Sequence, residues 1–462
     1  MVFSSLTFIY FFLPLVIILY YLVPGTMKNV FLLVASVFFY FWGSPRYVPL
    51  LIMLCMWTFI IGIDIPKREM KEKRRTLFWG IAVELIVLVL FKYYGFFVAC
   101  INNILHVSIA EKEIELPLGI SFITFQSISY LVDVYRNQTR PSKSIIKLST
   151  YLCMFPQLIA GPIVRYCEIE TLLDEKSALS WNKVIVGLER FVIGLGKKVL
   201  LANNLGVIYA AIQTNTVRSV GTAWLGIIAY TLQIYYDFSG YSDMAIGMGK
   251  MFGFRFPENF DYPYEAVSIS SFWRKWHMTL SGWFREYVYI PLGGNRRGRI
   301  IQIRNIIIVW GLTGLWHGAG WNYILWGLYF GFLLIIEKNI LEKIHYQSLP
   351  QLVRWSLTML AVILGWVFFT NVELDKAVEY IKSMFGLSAE VLVDDYFRFH
   401  ARENAILLVI SVMGCFRKTR KWINGVTRKR PVVAYASMTL IYIACTATLV
   451  YSTYNPFLYF KF

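Results

Sequence analysis

Two apolar runs flank a glycine-rich break in the stretch IIIVWGLTGLWHGAGWNYILWGLYFGFLLII, which covers residues 306–336. The break, GLWHGAGW at 314–321, places one histidine, His317, among glycines and tryptophans. About 20 helical residues cross the roughly 30 Å hydrocarbon core of a bilayer, so each run supplies most of one crossing. Glycines allow locally unwound backbone at such a break. The stretch therefore predicts two membrane helices that meet at a buried titratable ring.

The same apolar pattern recurs along the whole chain. Of the 462 residues, 57% are hydrophobic and only 16% are charged, and the mean hydropathy is +0.54. This composition excludes a soluble domain and predicts an all-α, polytopic membrane protein with roughly 10–13 membrane segments, some of them re-entrant or interfacial. No repeat or long linker divides the chain, so residues 1–462 are predicted to form one integral membrane domain. The predicted segments are 5–23, 29–42, 48–65, 77–101, 117–134, 148–163, 184–212, 221–250, 301–315, 321–337, 352–371, 402–415 and 433–453.

The basic residues cluster in short loops between the apolar runs, and the net charge is +17. Three such loops are 67–75, 136–147 and 417–430. This distribution follows the positive-inside rule, so these loops are predicted to face the cytoplasm and to meet lipid headgroups rather than nucleic acid. The chain is thus predicted to be a multi-pass protein of the cytoplasmic membrane. Residues 1–23 carry no basic n-region, which predicts a retained first helix with its N-terminus outside.

The six cysteines show neither CxxC nor zinc-ligand spacing. Most of them lie within apolar runs, where free buried thiols are the common case. No metal site is therefore predicted.

The segment 257–299 is too polar to cross a membrane, although it is rich in tryptophan and tyrosine, which favour the membrane–water boundary. Ser270 or Ser271 is predicted to cap a helix whose apolar residues recur at three- and four-residue steps. The segment is therefore predicted to be an interfacial or re-entrant helical region on the cytoplasmic face. The apolar face consists of Trp273, Trp276, His277, Leu280, Phe284 and Tyr287, and the cations beside it are Arg274, Lys275 and Arg285.

Polar side chains inside membrane segments are costly, so each one is a candidate functional group. Gln126, Asp237 and Asp243 lie in such segments. The two aspartates belong to YYDFSGYSD, where small and hydroxylated residues favour close helix packing and interhelical hydrogen bonds. The three residues are predicted to form a structural polar network rather than to act directly in catalysis.

His317 is the strongest candidate for chemistry, because Trp316 and Trp321 are predicted to wall it with apolar surface. A desolvated imidazole stays neutral near pH 7, which suits a general base. His277 lies on the far side of one predicted crossing, and one loop and one segment suffice to bring both imidazoles toward a common cavity. Two alternatives stay open. His317 is equally compatible with a buried histidine that donates one hydrogen bond, and His277 with a residue packed against Trp273.

Two longer motifs resemble a known family. WRKWHMTLSGWFREYVYIPLGGNRRG at 273–298 and LTGLWHGAGWNYILWGLYFG at 312–331 look like the signature region of the membrane-bound O-acyltransferases. The similarity is to the bacterial branch that includes the alginate O-acetyltransferase membrane subunits, and it covers essentially the whole chain. Further stretches that match this branch, in the same order, are 3–24, 118–136, 155–166, 235–264 and 455–462.

The resemblance implies a helical bundle around a central funnel, in which the two membrane faces nearly meet at His317. It implies that His317 is the essential intramembrane histidine and that His277 is the second histidine of the cytoplasm-facing region. It also implies that acetyl-CoA in the cytoplasm is the acyl donor and that no cofactor is bound. The residues implied in donor binding are Arg274, Lys275, Arg285, Trp273, Trp276 and Trp316.

The acceptor implied by the resemblance is an extracytoplasmic polysaccharide or wall polymer, served by a separate esterase-like acetyltransferase outside the membrane. Tyr459 in the aromatic tail resembles a residue suspected of accepting the acyl group and passing it on, whereas a plain membrane anchor is the alternative for this tail. Two other functions stay open. They are D-alanyl transfer to teichoic acid by the same fold, and polymer transport without chemistry.

Overall fold

The computed structural model describes residues 2–110, 112, 114–159, 161–174, 180–215, 218–341, 346–389 and 391–451. Within these residues the regular structure is helical and no strand occurs, which confirms the all-α prediction. The helices are α1 (Leu13–Leu22), α2 (Lys28–Gly43), α3 (Val48–Asp64), α4 (Met70–Lys92), α5 (Tyr94–Leu105), α6 (Ile120–Tyr135), α7 (Ile145–Cys153), α8 (Phe155–Leu158), α9 (Tyr166–Asp174), α10 (Trp181–Gly196), α11 (Asn203–Thr214), α12 (Val220–Met251), α13 (Ile269–Trp273), α14 (Met278–Phe284), α15 (Arg299–His317), α16 (Trp321–Ile336), α17 (Gln351–Thr370), α18 (Leu374–Met384), α19 (Asp395–Glu403), α20 (Ala405–Gly414), α21 (Arg417–Lys429) and α22 (Pro431–Tyr451).

The chain divides into two compact units, and each unit has its own buried core. The N-terminal unit comprises Met1–Phe191 and Ser242–Glu258, and the C-terminal unit comprises Val192–Tyr241 and Asn259–Phe462. Two of the three boundaries between the units fall within α10 and α12, and the third lies between Glu258 and Asn259. Both candidate histidines, 277 and 317, belong to the C-terminal unit.

Several helices continue into π-helical turns, which are frequent at functional sites. The turn Lys197–Ala202 joins α10 to α11, Arg285–Tyr289 follows α14, and Glu337–Leu341 follows α16. A π turn inserts one extra residue into a helical turn and rotates the following side chains. The first of these turns carries a buried lysine, and the last carries a buried glutamate.

The lengths and hydropathies of the helices indicate a membrane protein. Among the described residues, five helices are long and apolar enough to cross a membrane, and a sixth crossing results if α4 and α5, which meet at 67°, count as one span. The predicted segment 148–163 does not form one span, because it is broken into α7 and α8. The chain is therefore a multi-pass membrane protein. The five helices are Gly25–Gly43, Pro45–Lys67, Trp321–Leu341, Gln351–Thr370 and Pro431–Tyr451.

Helices α15 and α16 pack backbone against backbone. A Cβ atom added at Gly314 would lie 2.3 Å from the carbonyl oxygen of Tyr323, and one at Gly327 would lie 2.2 Å from that of Trp310. Glycine at these two positions allows a helix approach that no side chain permits. This close pairing holds the end of α15, which carries His317, against the start of α16.

Gly327→Ala is expected to destabilise the protein by about 3 kcal/mol or more, because the new methyl group would overlap backbone that cannot move aside cheaply. Gly311→Ala on the facing helix is the matched control, since its Cβ would lie 4.0 Å from its nearest neighbour, Leu328 Cδ2. Thermal unfolding of the detergent-solubilised variants measures the difference. If the Gly327→Ala and Gly311→Ala proteins have the same Tm, the two helices do not pack this closely.

The segment 257–299 is helical, but its helix is interrupted at His277. α13 ends at Trp273, and α14 starts after His277, whose backbone lies in the left-handed region at φ 45°. One continuous amphipathic helix is therefore a wrong prediction, because a residue at positive φ cannot continue a right-handed helix. The predicted apolar face is nevertheless buried except at its end. Trp273, Trp276, His277, Leu280 and Phe284 are buried, and Tyr287 is half-buried.

The N-terminal cap of α13 is Ser268, not Ser270 or Ser271 as predicted. The Ser268 hydroxyl accepts a hydrogen bond from the backbone N–H of Ser271 at 3.1 Å, and the Ser271 hydroxyl accepts one from the backbone N–H of Ser268. The Glu337 carboxylate accepts a further hydrogen bond from the backbone N–H of Ile269 at 2.6 Å. These acceptors satisfy donors that a helix leaves open at its start. They also tie α13 to the π-helical turn after α16.

Candidate active site

His317 is the last residue of α15, and it is only 3% exposed. Its imidazole packs against three aromatic rings, at centroid distances of 4.9 Å to Trp316, 4.8 Å to Trp326 and 5.4 Å to Phe369. The next residue, Gly318, has no room for a side chain, because a Cβ atom there would lie 2.2 Å from a tyrosine ring. Glycine therefore allows the chain to pass close to this tyrosine ring. The imidazole of His317 is enclosed by aromatic side chains.

The enclosure around His317 contains Trp326 in place of Trp321. Trp321 is 58% exposed at the start of α16, whereas Trp326 is 1% exposed. Trp321 is next to the break in sequence, but α16 folds back along α15 and turns another face inward. That face carries Trp326 and Phe330, which are four positions apart and therefore lie on one side of the helix. The four-residue spacing of these two rings was the sequence signal for this wall.

His277 lies between α13 and α14, and it is 1% exposed. Its Nδ1 is 3.1 Å from Oδ1 of Asn259, and its ring packs against Phe238 at a centroid distance of 4.6 Å. The same Oδ1 accepts a hydrogen bond from the backbone N–H of Thr279 at 3.3 Å. Asn259 was not among the predicted site residues, because 18 positions separate it from His277 and no periodic pattern connects them.

The structure brings the two candidate histidines to one aromatic ring. The indole of Trp316 lies 4.9 Å from the imidazole of His317 and 5.8 Å from that of His277, between ring centroids. The two imidazoles thus share a contact with this indole, and a common cavity for them stays a prediction. Two titratable rings on one buried indole form the candidate active site.

Burial lowers the pKa of His277 to about 3. Desolvation disfavours the charged imidazolium, and no carboxylate in the described residues makes a hydrogen bond or ion pair with this ring that offsets the effect. His277 is therefore neutral at neutral and mildly acidic pH, with one ring nitrogen protonated and the other carrying a lone pair.

Acid is expected to destabilise the fold through His277. The unfolded chain binds a proton there below about pH 6.5, whereas the folded protein binds it only near pH 3, so stability falls as the pH falls through this interval. We expect the Tm to fall between about pH 6.5 and about pH 4, and to fall less in His277→Asn, since asparagine tolerates positive φ and does not titrate. Equal pH dependence in the two proteins would contradict the neutral, buried imidazole.

The cations predicted to bind the donor are accessible. Arg274 and Arg285 are exposed, and Lys275 is half-buried. Each is close in sequence to the buried aromatic face of the same segment, so positive charge surrounds this part of the site. Their role in donor binding stays a prediction.

Two of the three tryptophans predicted to bind the donor, Trp273 and Trp276, belong to a buried aromatic cluster, and their role in donor binding stays a prediction. Trp273 lies 5.6 Å from Trp326, and Trp276 lies 4.9 Å from Trp366, between ring centroids. Trp326 in turn contacts the imidazole of His317. These rings therefore extend the aromatic enclosure from His317 toward α13.

The three residues of the predicted polar network have different surroundings. In the C-terminal unit, Nζ of the buried Lys198 lies 2.5 Å from Oδ1 of the buried Asp237. In the N-terminal unit, Arg190 and Asp243 form an ion pair at 2.9 Å. Gln126 is buried in α6, and its amide atoms have no hydrogen-bond partner among the residues that the structure describes. Positions 237 and 243 lie on different faces of α12, and a single network of the three residues stays a prediction.

The predicted acyl relay, Tyr459, lies outside the described residues, which end at Tyr451. Its role stays a prediction from sequence.

Comparison with known proteins places this site in a family. The chain matches the membrane-bound O-acyltransferase family over residues 4–372. It is 37% identical to a probable alginate O-acetylase of Pseudomonas putida over the full length of both chains. It is 36% identical to a peptidoglycan O-acetyltransferase of Helicobacter pylori, over 84% of this chain and 80% of that protein. A teichoic acid D-alanyltransferase of Bacillus subtilis is 28% identical, over 54% of this chain and 66% of its own.

The chain therefore belongs to the membrane-bound O-acyltransferase family, and it is an O-acyltransferase. The family match includes both histidines and the aromatic rings that enclose them. The resemblance seen in the two signature motifs is confirmed. Of the functions left open by the sequence, family membership supports O-acyl transfer and not polymer transport without chemistry.

Proposed function

We propose that this protein transfers acetyl groups from cytoplasmic acetyl-CoA toward a polysaccharide or wall polymer outside the cytoplasmic membrane. The observation that carries the proposal is the pair of buried imidazoles on the Trp316 indole, in a chain with several membrane spans. The relatives named as O-acetylases or O-acetyltransferases align over most or all of this chain. The D-alanyltransferase relative aligns over about half of it, which favours acetyl over D-alanyl as the cargo.

The chemistry at His317 is a single acyl transfer. The oxygen of an acceptor hydroxyl attacks the carbonyl carbon of the thioester while His317 accepts the hydroxyl proton. The carbon–sulfur bond then breaks, and CoA leaves as a thiolate, which takes up the proton that His317 accepted. The aromatic enclosure excludes water, which limits hydrolysis of the thioester.

The exposed cations of the segment 257–299 support a phosphorylated donor. Arg274 and Arg285 are free to reach solvent, and guanidinium groups bind phosphate oxygens in a bidentate manner. A CoA molecule carries phosphates at one end and the thioester at the other. Its phosphates would rest on these cations while the thioester enters the enclosure.

The acceptor side of the proposal rests on the relatives' names and on the tail of the sequence. A separate esterase-like acetyltransferase outside the membrane would place the acetyl group on the polymer, and Tyr459 would relay it. Tyr459→Phe is expected to abolish polymer acetylation in cells. Normal acetylation by this variant would rule out the relay.

The cargo can be tested on the polymer itself. Mild alkali releases ester-linked acetate and D-alanine from surface polymers, and chromatography separates them. Cells that lack the gene and cells complemented with it are expected to differ in acetate and not in D-alanine. In parallel, inside-out membrane vesicles supplied with ¹⁴C-acetyl-CoA are expected to transfer label to polymer or protein. A difference in D-alanine instead, or vesicles that never take label from acetyl-CoA, would reject the acetyl proposal.

A further inference from the structure

The side-chain oxygen of Asn259 accepts hydrogen bonds from three directions. Its distances are 3.1 Å to Nδ1 of His277, 3.3 Å to the backbone nitrogen of Thr279 and 2.9 Å to the Thr279 hydroxyl. A backbone N–H can only donate, so the amide atom that faces it must be the oxygen. Nδ1 of His277 faces the same oxygen, and it must therefore be the protonated nitrogen of the ring.

This arrangement determines the tautomer of His277. A neutral imidazole carries one proton, and the proton at Nδ1 leaves Nε2 with a lone pair. Nε2 is buried, and it has no hydrogen-bond partner among the residues described here. A buried acceptor without a partner costs about 1–3 kcal/mol, so it calls for a partner beyond the described residues, such as a substrate. That partner must carry an N–H or O–H group.

The backbone around Asn259 holds this geometry in place. The carbonyl oxygen of Asn259 accepts a hydrogen bond from the backbone N–H of Met278 at 3.0 Å. Two residues later, the backbone N–H of Asp261 donates to the carbonyl oxygen of Lys275 at 3.0 Å. The chain is therefore clamped on both sides of His277, which fixes a residue whose positive φ would otherwise be unfavourable.

We propose that Asn259 is a positioning residue for acyl transfer, which fixes the Nδ1–H tautomer of His277 so that Nε2 accepts a hydrogen bond from an N–H or O–H group of a substrate. This inference rests on the proposed function. Because Nε2 carries no proton in this tautomer, His277 cannot act there as an acid toward the leaving sulfur. It orients a substrate group while His317 accepts the hydroxyl proton.

Three variants test the proposal in inside-out vesicles supplied with ¹⁴C-acetyl-CoA. Asn259→Leu removes the acceptor at similar volume and is expected to lower the transfer rate at least about tenfold, as loss of a tautomer-fixing partner does elsewhere. Asn259→Asp restores an acceptor and is expected to recover most of the rate. Thr279→Val, the matched control, removes another donor to the same oxygen and is expected to stay within about twofold of wild type.

The kinetic parameter that changes identifies the substrate group. A fall in kcat at saturating acetyl-CoA indicates that the attacking hydroxyl donates the hydrogen bond to Nε2 of His277. A rise in the KM for acetyl-CoA indicates that an amide N–H of the pantetheine arm donates this hydrogen bond. Equal losses in Asn259→Leu and Asn259→Asp, or no loss in either, would overturn the positioning role.

A spectroscopic measurement keeps this test separate from the proposed function. The chain has five histidines, so the ¹⁵N-histidine signals of His277 are assigned by their absence in His277→Asn. Wild type is expected to show a protonated Nδ1 and an unprotonated Nε2, and Asn259→Leu is expected to mix the tautomers. A protonated Nε2 in wild type would refute the inference even if acetyl transfer is normal. Failure of wild type to use acetyl-CoA would refute the proposed donor and leave the tautomer measurable.

Discussion

His317→Asn is expected to lower acetyl transfer by at least about 100-fold, within the range that loss of a general base produces. The replacement keeps the enclosing residues Trp316, Trp326 and Phe369, and it replaces an imidazole that can accept a proton with a smaller amide that cannot. We therefore expect the expression level and the Tm of the variant to stay near those of wild type. The rate is measured with ¹⁴C-acetyl-CoA in inside-out vesicles.

The control for this variant is His106→Asn. His106 is exposed and has a left-handed backbone conformation at φ 53°, which asparagine also tolerates. It lies in the N-terminal unit, outside the family's signature region, so its replacement is expected to leave the rate unchanged. If the His317 variant retains more than a tenth of the wild-type rate, His317 is not the group that accepts the proton of the attacking hydroxyl.

Breaking the buried pair of Lys198 and Asp237 is expected to have the largest effect on stability. Lys198→Met and Asp237→Leu each leave one buried charge without its partner, which costs about 3–5 kcal/mol. The double variant removes both charges and is expected to recover most of this loss, because an apolar pair of similar volume needs no compensation. Thermal unfolding can be followed with a thiol-reactive dye, since Cys153, Cys415 and Cys445 are free and buried in the folded protein.

The matched control for this cycle is an exposed ion pair. Lys376 Nζ lies 2.8 Å from Glu373 Oε1, and both side chains are 65% exposed. Lys376→Met is expected to change the stability by less than about 1 kcal/mol, because water solvates the remaining carboxylate. Additive losses in the Lys198 and Asp237 variants, with no recovery in the double variant, would contradict direct pairing of these charges.

The membrane class and the central histidine follow from the sequence for physical reasons. A bilayer requires long apolar helices, so hydropathy alone identifies the class of the fold. An ionisable ring within an apolar run is costly, which singles out His317. Lys198 is likewise an ionisable side chain inside a predicted membrane segment, 184–212. The cost of burying its charge indicates a buried anion as its partner, and Asp237 is that partner.

Periodicity was misleading at His277. The three- and four-residue spacing of the apolar residues in the segment 257–299 describes which side chains are buried, and burial followed this spacing closely. Spacing contains no information on backbone dihedrals, so it cannot show that His277 adopts positive φ and ends the helix. The cap by Ser268 lies two or three residues before the predicted positions, Ser270 and Ser271, for the same reason.

The partners of the two histidines depend on tertiary structure. Trp326 reaches His317 because α16 reverses direction after the break, and Asn259 reaches His277 because a loop folds back over it. Neither contact has a fixed spacing in sequence. A hydrophobic pattern states that a residue is buried, whereas the partner it meets depends on how the helices and loops are connected.

The hydrogen bond from Ile269 to Glu337 has a mechanical consequence. Glu337 lies near the end of the span that begins with α16. Its carboxylate accepts the hydrogen bond from the first residue of α13. Trp326 on α16 and Trp273 on α13 are therefore carried by the same membrane helix. If a thinner or thicker bilayer tilts this helix, Trp326 and Trp273 are expected to move together, because both are attached to it.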